Sequence, residues 1–284
     1  MPAPRPPSCA GSVYPAEPTA LRRALDGWLQ LPAPPHPPGP PTRLLVAPHI
    51  DYPRGARGWA SAYRALSTAA DLFVVFGTAH ATPPHLFALT RRDQQTPLGL
   101  VPTDGPALDA VVREVGAAEV LADEAAHDHE HSLELQLVAL RHVVHRPFTV
   151  LPVLCSSLSH LEDPAPYTAR FLGALARAVS GRRVCFIASA DLAHFGPQYG
   201  DSRPPTPAEL AWLEARDREA LALVERGDAA GFHRDTIRDD ARRRICGLAP
   251  IYAALRASRS GARLLHYERW TDGVDSVSFA ACAG

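Results

Sequence analysis

Short apolar runs and segments with a helical hydrophobic period alternate along the chain. Runs rich in Leu, Val, Phe and Ile predict buried strands, and apolar residues that recur every three or four positions predict amphipathic helices. This alternation is typical of an α/β domain, in which helices flank a mostly parallel or mixed central sheet. We predict strands at 44–47, 72–76, 86–90, 148–154, 184–188, 262–267 and 276–281, a turn with a short strand at 96–102, and helices at 17–31, 58–66, 103–115, 127–142, 164–180, 207–226 and 245–255.

A proline-rich segment interrupts this pattern at residues 31–41 (LPAPPHPPGPP). Proline removes backbone donors and fixes φ, so we predict a surface loop here. Only one predicted helix precedes the loop, and no internal repeat follows it. A length of 284 residues allows one large or two modest domains, and we predict a single domain over residues 1–284.

Charge and cysteine content exclude several classes of function. The chain has 29 Lys plus Arg and 30 Asp plus Glu, so no excess of one sign indicates binding to nucleic acid or to an acidic membrane. The five cysteines are widely spread without a CxxC pair, which argues against a disulfide scaffold. No signal peptide or membrane-spanning run is evident. We expect a cytoplasmic protein with no nucleic-acid or membrane partner.

Histidines follow the ends of three different predicted strands. These residues are His49, His80 and His194, and Cys246 stands before a glycine further along the chain. The carboxyl ends of parallel strands meet at one edge of a sheet, which is where ligands bind in α/β folds. Imidazole and thiolate both suit Fe, Cu or Zn. Convergence of these groups would therefore make a metal site.

Two further patterns are open to more than one interpretation. Asp191 and His194 could orient a ligand, take a proton from a substrate, or cap a turn. The arginines at 242–244 could favour the thiolate of Cys246 or form a solvated or substrate-facing patch. No GxSxG elbow and no Walker-type phosphate loop is present, so neither a serine hydrolase nor a P-loop enzyme is indicated.

The segment at 127–142 carries the densest group of polar residues in the chain. If it is helical from its start, His127, Glu130, His131 and Glu134 share one face because their offsets are 0, 3, 4 and 7. His127, Glu130 and His131 also fit H-x-x-E-H, a zinc-peptidase pattern. That pattern is short, lacks an obvious third ligand and leaves the other histidines unexplained, so we rank it below a site at the strand ends.

Taken in order, the motifs resemble the Memo family, known in bacteria as AmmeMemoRadiSam system protein B. The resemblance covers nearly the whole chain, and its specificity lies in the order of its motifs. These motifs are AGSVYP, APHIDYPRG, FGTAH, TPLGLVPTD, EHSLELQL, SADLAHFGP, ICGLAPIYAAL and SVSFA.

The resemblance implies a fold similar to the class III extradiol dioxygenases, which are non-haem iron enzymes. It implies that His49, His80 and Cys246 hold the metal. This chain has PHIDY and GTAH where many members have PHAGY and a Gly-x-Ser or Gly-x-Asn before the second histidine. A cysteine also replaces the carboxylate ligand of the dioxygenases, so ring cleavage does not follow from the resemblance. The residues that are implied to line the pocket are Asp191, His194, Glu130 and His131.

Two functions follow from this reading. In the first, Fe(II), or else Cu(I) or Zn, is bound in a redox enzyme that acts on a small molecule or peptide. His194 would be the acid or base, Asp191 and Glu130 would orient imidazoles, and His131 completes the predicted catalytic group. In the second, the chain is a non-catalytic accessory protein that binds metal or a partner. The family name implies AMMECR1-like and radical SAM proteins as those partners.

Overall fold

Four parallel strands form the centre of the sheet in a computed structural model that describes residues 2–32, 41–81 and 83–284. The predicted proline-rich loop falls largely at residues 33–40, outside the described residues. Ten strands are present in the described part of the chain: β1 (Leu44–Ala47), β2 (Leu72–Thr78), β3 (Phe87–Leu89), β4 (Gln94–Thr96), β5 (Gly99–Val101), β6 (Thr149–Cys155), β7 (Val184–Ser189), β8 (Asp191–Phe195), β9 (Arg263–Thr271) and β10 (Ser276–Ala283).

Ten α-helices accompany the strands within the same described ranges. Short 3₁₀ turns at Glu124–His127 and Pro197–Tyr199 join some of them. The helices are α1 (Pro18–Leu29), α2 (Tyr52–Ala65), α3 (Gly105–Val115), α4 (Ala117–Val120), α5 (His131–Val143), α6 (Ala165–Ala178), α7 (Pro207–Glu225), α8 (Ala229–Arg238), α9 (Asp240–Arg243) and α10 (Leu248–Ser258). None of the described helices is long and apolar enough to cross a membrane.

The main sheet has the strand order β3-β6-β2-β7-β1-β10-β8, and β9 pairs with β10. Strands β6, β2, β7 and β1 are mutually parallel where they pair, whereas β3 and β10 run antiparallel to their neighbours. A separate two-stranded sheet joins β4 and β5. The predicted α/β single domain with a mixed central sheet is confirmed.

Alternating side chains of β1 divide the core between the two faces of the sheet. Leu44 and Val46 belong to one buried cluster with residues of α3, α6, α8 and α10. Leu45 and Ala47 belong to the other, with residues of α1, α2 and α5. Successive strand side chains point to opposite faces, so a strand covered on both sides reads as a continuous apolar run. This explains why the run was visible in the sequence.

The predicted boundaries are wrong at two places near the site. We predicted a helix over 127–142, but α5 begins at His131 because the Glu130 side chain accepts a hydrogen bond from the Ser132 amide and caps the helix. We also predicted that His194 lies just past the end of the strand at 184–188, and no second strand was predicted there. The chain instead turns after β7 and returns as β8, which pairs antiparallel with β10.

Two glycines allow close packing beneath the site. A Cβ at Gly77 in β2 would meet the Ser132 hydroxyl oxygen at 2.6 Å, so the start of α5 can lie directly on β2 only without that side chain. A Cβ at Gly247 would meet the Asp191 carbonyl oxygen at 2.5 Å. These contacts bring the beginning of α5 and the turn before α10 to the carboxyl edge of β1, β2 and β7.

Candidate metal centre

Three histidine side chains converge at the carboxyl edge of the parallel strands. His49 follows β1, His80 follows β2, and His131 is the first residue of α5. One nitrogen from each ring lies within 4.8 Å of the others, which is close enough for a single metal ion to be shared. The ring centroids of His80 and His131 are 4.6 Å apart, and that of His49 lies 5.3 and 5.4 Å from them. This cluster could hold a metal ion.

Hydrogen bonds at Nδ1 leave Nε2 available on two of the rings. His49 Nδ1 lies 3.2 Å from the Ser189 carbonyl oxygen, and His80 Nδ1 lies 2.9 Å from Glu130 Oε1. Both partners can only accept, so Nδ1 carries the proton and Nε2 presents a lone pair in the neutral ring. Histidines that bind metals commonly donate their second N–H to a carbonyl or carboxylate in this way.

Glu130 connects two of the three histidines. Its carboxylate accepts hydrogen bonds from the His80 amide and from the Ser132 amide, and its Oε1 lies 3.4 Å from His131 Nδ1. Burial opposes the charged form, but the hydrogen bonds from His80 and Ser132 outweigh it and lower the pKa of Glu130 to about 2. Glu130 is therefore a fixed anion behind the rings, as its predicted orienting role requires.

Two of the three imidazoles, the buried His49 and the partly exposed His131, favour their neutral forms. Burial lowers the pKa of His49 well below its ordinary value, and the neighbouring His131 and His80 rings act in the same direction. Burial also lowers the pKa of His131, and His80 adds to that effect. Neutral imidazole is the form that binds metal ions, so these rings need release no proton to do so.

Cys246 lies beside the histidine cluster and outside the group of nitrogens that share one centre. Its Sγ is 3.1 Å from His49 Nε2, and its carbonyl oxygen accepts a hydrogen bond from the Thr78 hydroxyl at the end of β2. Burial, followed by the charge of Asp191, raises the pKa of the thiol well above its ordinary value. Its assignment as a ligand stays a prediction.

The interpretation that arginines 242–244 favour the Cys246 thiolate gains no support from the structure. Burial raises the pKa of the thiol, none of the three arginines is among the main causes of its shift, and each arginine has another partner. Arg244 adopts a left-handed backbone (φ 46°) and binds the Asp201 carboxylate, which fixes the turn into Cys246. Arg242 lies over the Trp212 ring, and Arg243 is fully buried in ion pairs with Asp217 and Asp235.

Asp191 and His194 occupy β8, on the pocket wall next to His49. Asp191 accepts a hydrogen bond from the His49 amide, and its other oxygen is 3.6 Å from His49 Nε2. Burial raises the pKa of Asp191 to about 7, although the amides of His49 and Ile50 oppose this. Burial lowers the pKa of His194 to about 4. His194 Nδ1 faces the carbonyl oxygens of Leu192 and Arg244, so Nε2 is its unprotonated nitrogen.

The predicted helical face of four polar residues does not form. His127 lies in the 3₁₀ turn before α5, where it is buried and its Nε2 is 3.1 Å from the Ala88 carbonyl oxygen. Glu134 is on α5, but its carboxylate binds Arg5 and Tyr14 and faces away from the histidines. The peptidase pattern therefore fails, because its first histidine, His127, does not reach the cluster that contains its second, His131.

A pocket of about 630 Å³ is lined by most of the predicted site residues, namely His49, His80, His131, Asp191, His194 and Cys246. Glu130, which was predicted to line it, instead lies behind His80 and His131. A cleft of about 710 Å³ lies at the amino ends of β1 and β7, but five arginines and no histidine or cysteine line it, so the predicted site is the smaller pocket. Arg244 lines the smaller pocket, as the substrate-facing interpretation of the arginines requires, and unpredicted lining residues include Val13, Arg54 and Tyr199.

Fold and site together define an α/β protein with a histidine-lined pocket at the carboxyl ends of its parallel strands. The family model described as Memo-like protein matches residues 5–283, and the chain belongs to that family.

Curated relatives extend the match over whole chains. A MEMO1 family protein of Archaeoglobus fulgidus is 32% identical over 285 residues, which is 99% of this chain and 98% of the relative. One from Methanosarcina barkeri is 28% identical over 93% of this chain and 91% of its own length. One from Methanococcoides burtonii is 34% identical over 75% and 73%. The resemblance drawn from the motifs is confirmed.

Proposed function

We propose that this chain is a metal-dependent redox enzyme that binds one transition-metal ion through His49, His80 and His131, with Cys246 as a further ligand. Fe(II) is our first choice of metal, and Cu(I) and Zn are the alternatives. The observation that carries the proposal is the cluster of three ring nitrogens within 4.8 Å.

The donor chemistry fits such an ion. Imidazole suits iron, copper and zinc, and a thiolate shifts the preference toward Cu(I) and Zn. Nδ1 of His49 and of His80 is occupied by an acceptor, and Glu130 provides an anion behind His80 and His131. A cationic guest would balance that buried negative charge, since an uncompensated charge in a protein interior is costly. Iron or copper bound there would supply redox chemistry with dioxygen.

His194 is the group best suited to accept a proton from a substrate. It lines the same pocket, its Nδ1–H is held by two carbonyl oxygens, and its unprotonated Nε2 is left for the substrate. Asp191 holds the His49 amide and so fixes the backbone at the first ligand. Tyr199 packs edge-on against His194, with centroids 4.8 Å apart, which restricts the rotation of the imidazole.

The pocket volume supports a small-molecule substrate or a short peptide side chain. About 630 Å³ lies within the usual range for small-ligand sites. Arg54 and Tyr199 add polar groups to the lining of the same pocket. Together with the histidines, they can orient a bound ligand by hydrogen bonds or charge.

Anaerobic loading with Fe(II) followed by oxygen-consumption assays tests the proposal. We expect equimolar iron in the wild-type chain, and substrate-dependent oxygen uptake that His194→Gln reduces without loss of iron. Bound iron without turnover, together with specific binding to a radical SAM or AMMECR1-like protein, would favour the accessory role instead. A folded chain that binds neither iron, copper nor zinc would contradict the redox enzyme and would favour an accessory protein that binds a partner without metal.

A further inference from the structure

One buried carboxylate joins the first residues of the chain to the helix that carries His131. Glu134, one turn into α5, is 1% exposed and accepts five hydrogen bonds from residues 5–14. Its donors are the Arg5 guanidinium at 2.5 Å, the Ser8 amide at 2.8 Å, the Ser8 hydroxyl at 2.9 Å, the Cys9 amide at 2.8 Å and the Tyr14 hydroxyl at 2.5 Å.

Arg5 also contacts the backbone that precedes His131. Its guanidinium donates to the carbonyl oxygens of His127, Asp128 and Glu130 as well as to Glu134. Arg5 is itself only 2% exposed. A planar guanidinium with several fixed donors can hold several acceptors in one geometry. Arg5 thus clamps both the turn that precedes His131 and the helix that follows it.

The same segment reaches the pocket wall. Val13 lines the pocket beside the histidines, while its neighbour Tyr14 is bound to Glu134. Residues 5–14 therefore touch the site in two ways, through the backbone of Glu130 and through the side chain of Val13.

We propose that residues 5–14 act as a strap that positions the His131 side of the metal site, with Arg5 and Glu134 as positioning residues. This inference rests on the proposed metal centre. His131 and Glu130 lie at the junction between a turn and the beginning of a helix. The strap holds this junction from both sides, through the carbonyl oxygens of His127, Asp128 and Glu130 and through the Glu134 side chain in the first turn of α5. Without it, the third imidazole and the carboxylate behind it lose their fixed orientation.

Co(II) affinity of purified full-length variants tests the strap. Glu134→Gln keeps the size of the side chain but leaves Arg5 without its charged partner, and Tyr14→Phe removes one hydrogen bond. Arg182→Gln is the matched control, because it breaks an arginine–carboxylate pair with Asp104 that lies beside the arginine-lined cleft. All affinities are measured well below the unfolding temperature of each variant.

We expect Glu134→Gln to weaken Co(II) binding by roughly tenfold or more, as losses behind a metal ligand usually do. Tyr14→Phe should weaken it less, and Arg182→Gln should not change it. Hydrogen exchange of the backbone at 130–133 should speed up in Glu134→Gln and not in Arg182→Gln.

Unchanged affinity and unchanged exchange in Glu134→Gln would overturn the strap. Should the wild-type chain bind no Co(II), the metal centre would fail, and the exchange measurement alone would still decide whether the strap orders residues 130–133. If Glu134→Gln does not fold, Tyr14→Phe is compared with the wild type in the same two measurements. Equal Co(II) affinity and equal hydrogen exchange in these two proteins would then overturn the strap.

Discussion

The two sides of the pocket differ in how ready they are to bind a cation. On one side, three imidazoles bring one nitrogen each within 4.8 Å of the others, and Glu130 lies behind two of them. On the other side, Cys246 is a partly buried thiol whose pKa is raised and whose sulfur lies 3.1 Å from His49 Nε2. The difference teaches that neutral imidazoles could bind a metal without losing a proton, whereas the cysteine would have to release one first.

Loss of a shared histidine should have the largest effect on metal binding. His49 is central because it contacts both sides of the pocket. We expect His49→Ala to abolish equimolar binding of both Fe(II) and Cu(I), measured by metal analysis after anaerobic loading and desalting. His127→Asn is the control, since His127 is also buried but lies outside the cluster. If His49→Ala retains its full metal content, the proposed metal site is wrong.

Glu130→Gln should have the next largest effect on metal binding, because Glu130 contacts His80 and His131. The amide keeps the shape of the side chain but loses the charge that faces His80 and His131. We expect metal affinity to fall by roughly 10–100-fold, as is usual for partners of metal-bound histidines. Competition with a chelator of known affinity measures it. An affinity equal to that of wild type would show that Glu130 does not orient the ligands.

The choice of metal should separate the two sides. Thiolate ligands favour Cu(I), while imidazole serves Fe(II) and Co(II) as well. We therefore expect Cys246→Ser to weaken Cu(I) binding more than Co(II) binding, and His131→Ala to do the reverse. Parallel titrations of both variants with both ions provide the measurement. Equal losses for both ions in both variants would contradict a functional division of the pocket.

A substitution at the amino end of the sheet, Arg182→Gln, should have a small effect on stability and none on metal affinity. Burial opposes the charge of Asp104, but hydrogen bonds from Arg182 and Thr149 outweigh it and lower its pKa to about 2, from an ordinary 3.8. The charged pair thus stabilises the fold above about pH 4, and this contribution is lost as the pH falls toward 2. Because Arg182 is partly exposed, we expect Arg182→Gln to cost about 1 kcal/mol at pH 7.

Urea unfolding of wild type and Arg182→Gln at several pH values measures this difference. The two stabilities should converge as the pH falls from about 4 to about 2, because protonated Asp104 no longer gains from the arginine. If the difference in unfolding free energy stays constant over this pH range, the loss of stability comes from packing of the aliphatic part of Arg182 and not from its charge. A change in Co(II) affinity would contradict its use as a control remote from the site.

The strand-end histidines could be predicted from the sequence because local patterns determine their positions. A buried run that ends in Pro48 or Gly77 marks where a strand meets its loop, and parallel pairing then brings His49 and His80 to one edge. The mixed sheet and its order of elements follow from the same local patterns. Asp191 and His194 were predicted at the correct edge of the sheet. In the structure they lie within a second strand, β8, and not just past the end of the first.

The start of α5 could not be predicted, because contacts distant in sequence determine it. The spacing of the polar residues extends the predicted helix back to residue 127. In the structure, Arg5 binds the carbonyl oxygens of the preceding turn and Glu130 caps the helix. The EHS motif pointed to Glu130 and His131 as pocket residues. The motif alone did not show whether His131 only lines the pocket or joins His49 and His80 as a third imidazole. That position depends on the packing of α5 on Gly77.

X-ray absorption spectroscopy of the Fe(II)-loaded chain tests the central claim most directly, because it counts imidazole and sulfur neighbours around the ion. We predict scattering from three imidazoles in the wild type, and from two in His131→Ala loaded to the same iron content. A spectrum without imidazole scattering, or one that is identical in wild type and His131→Ala, would contradict the three-histidine centre.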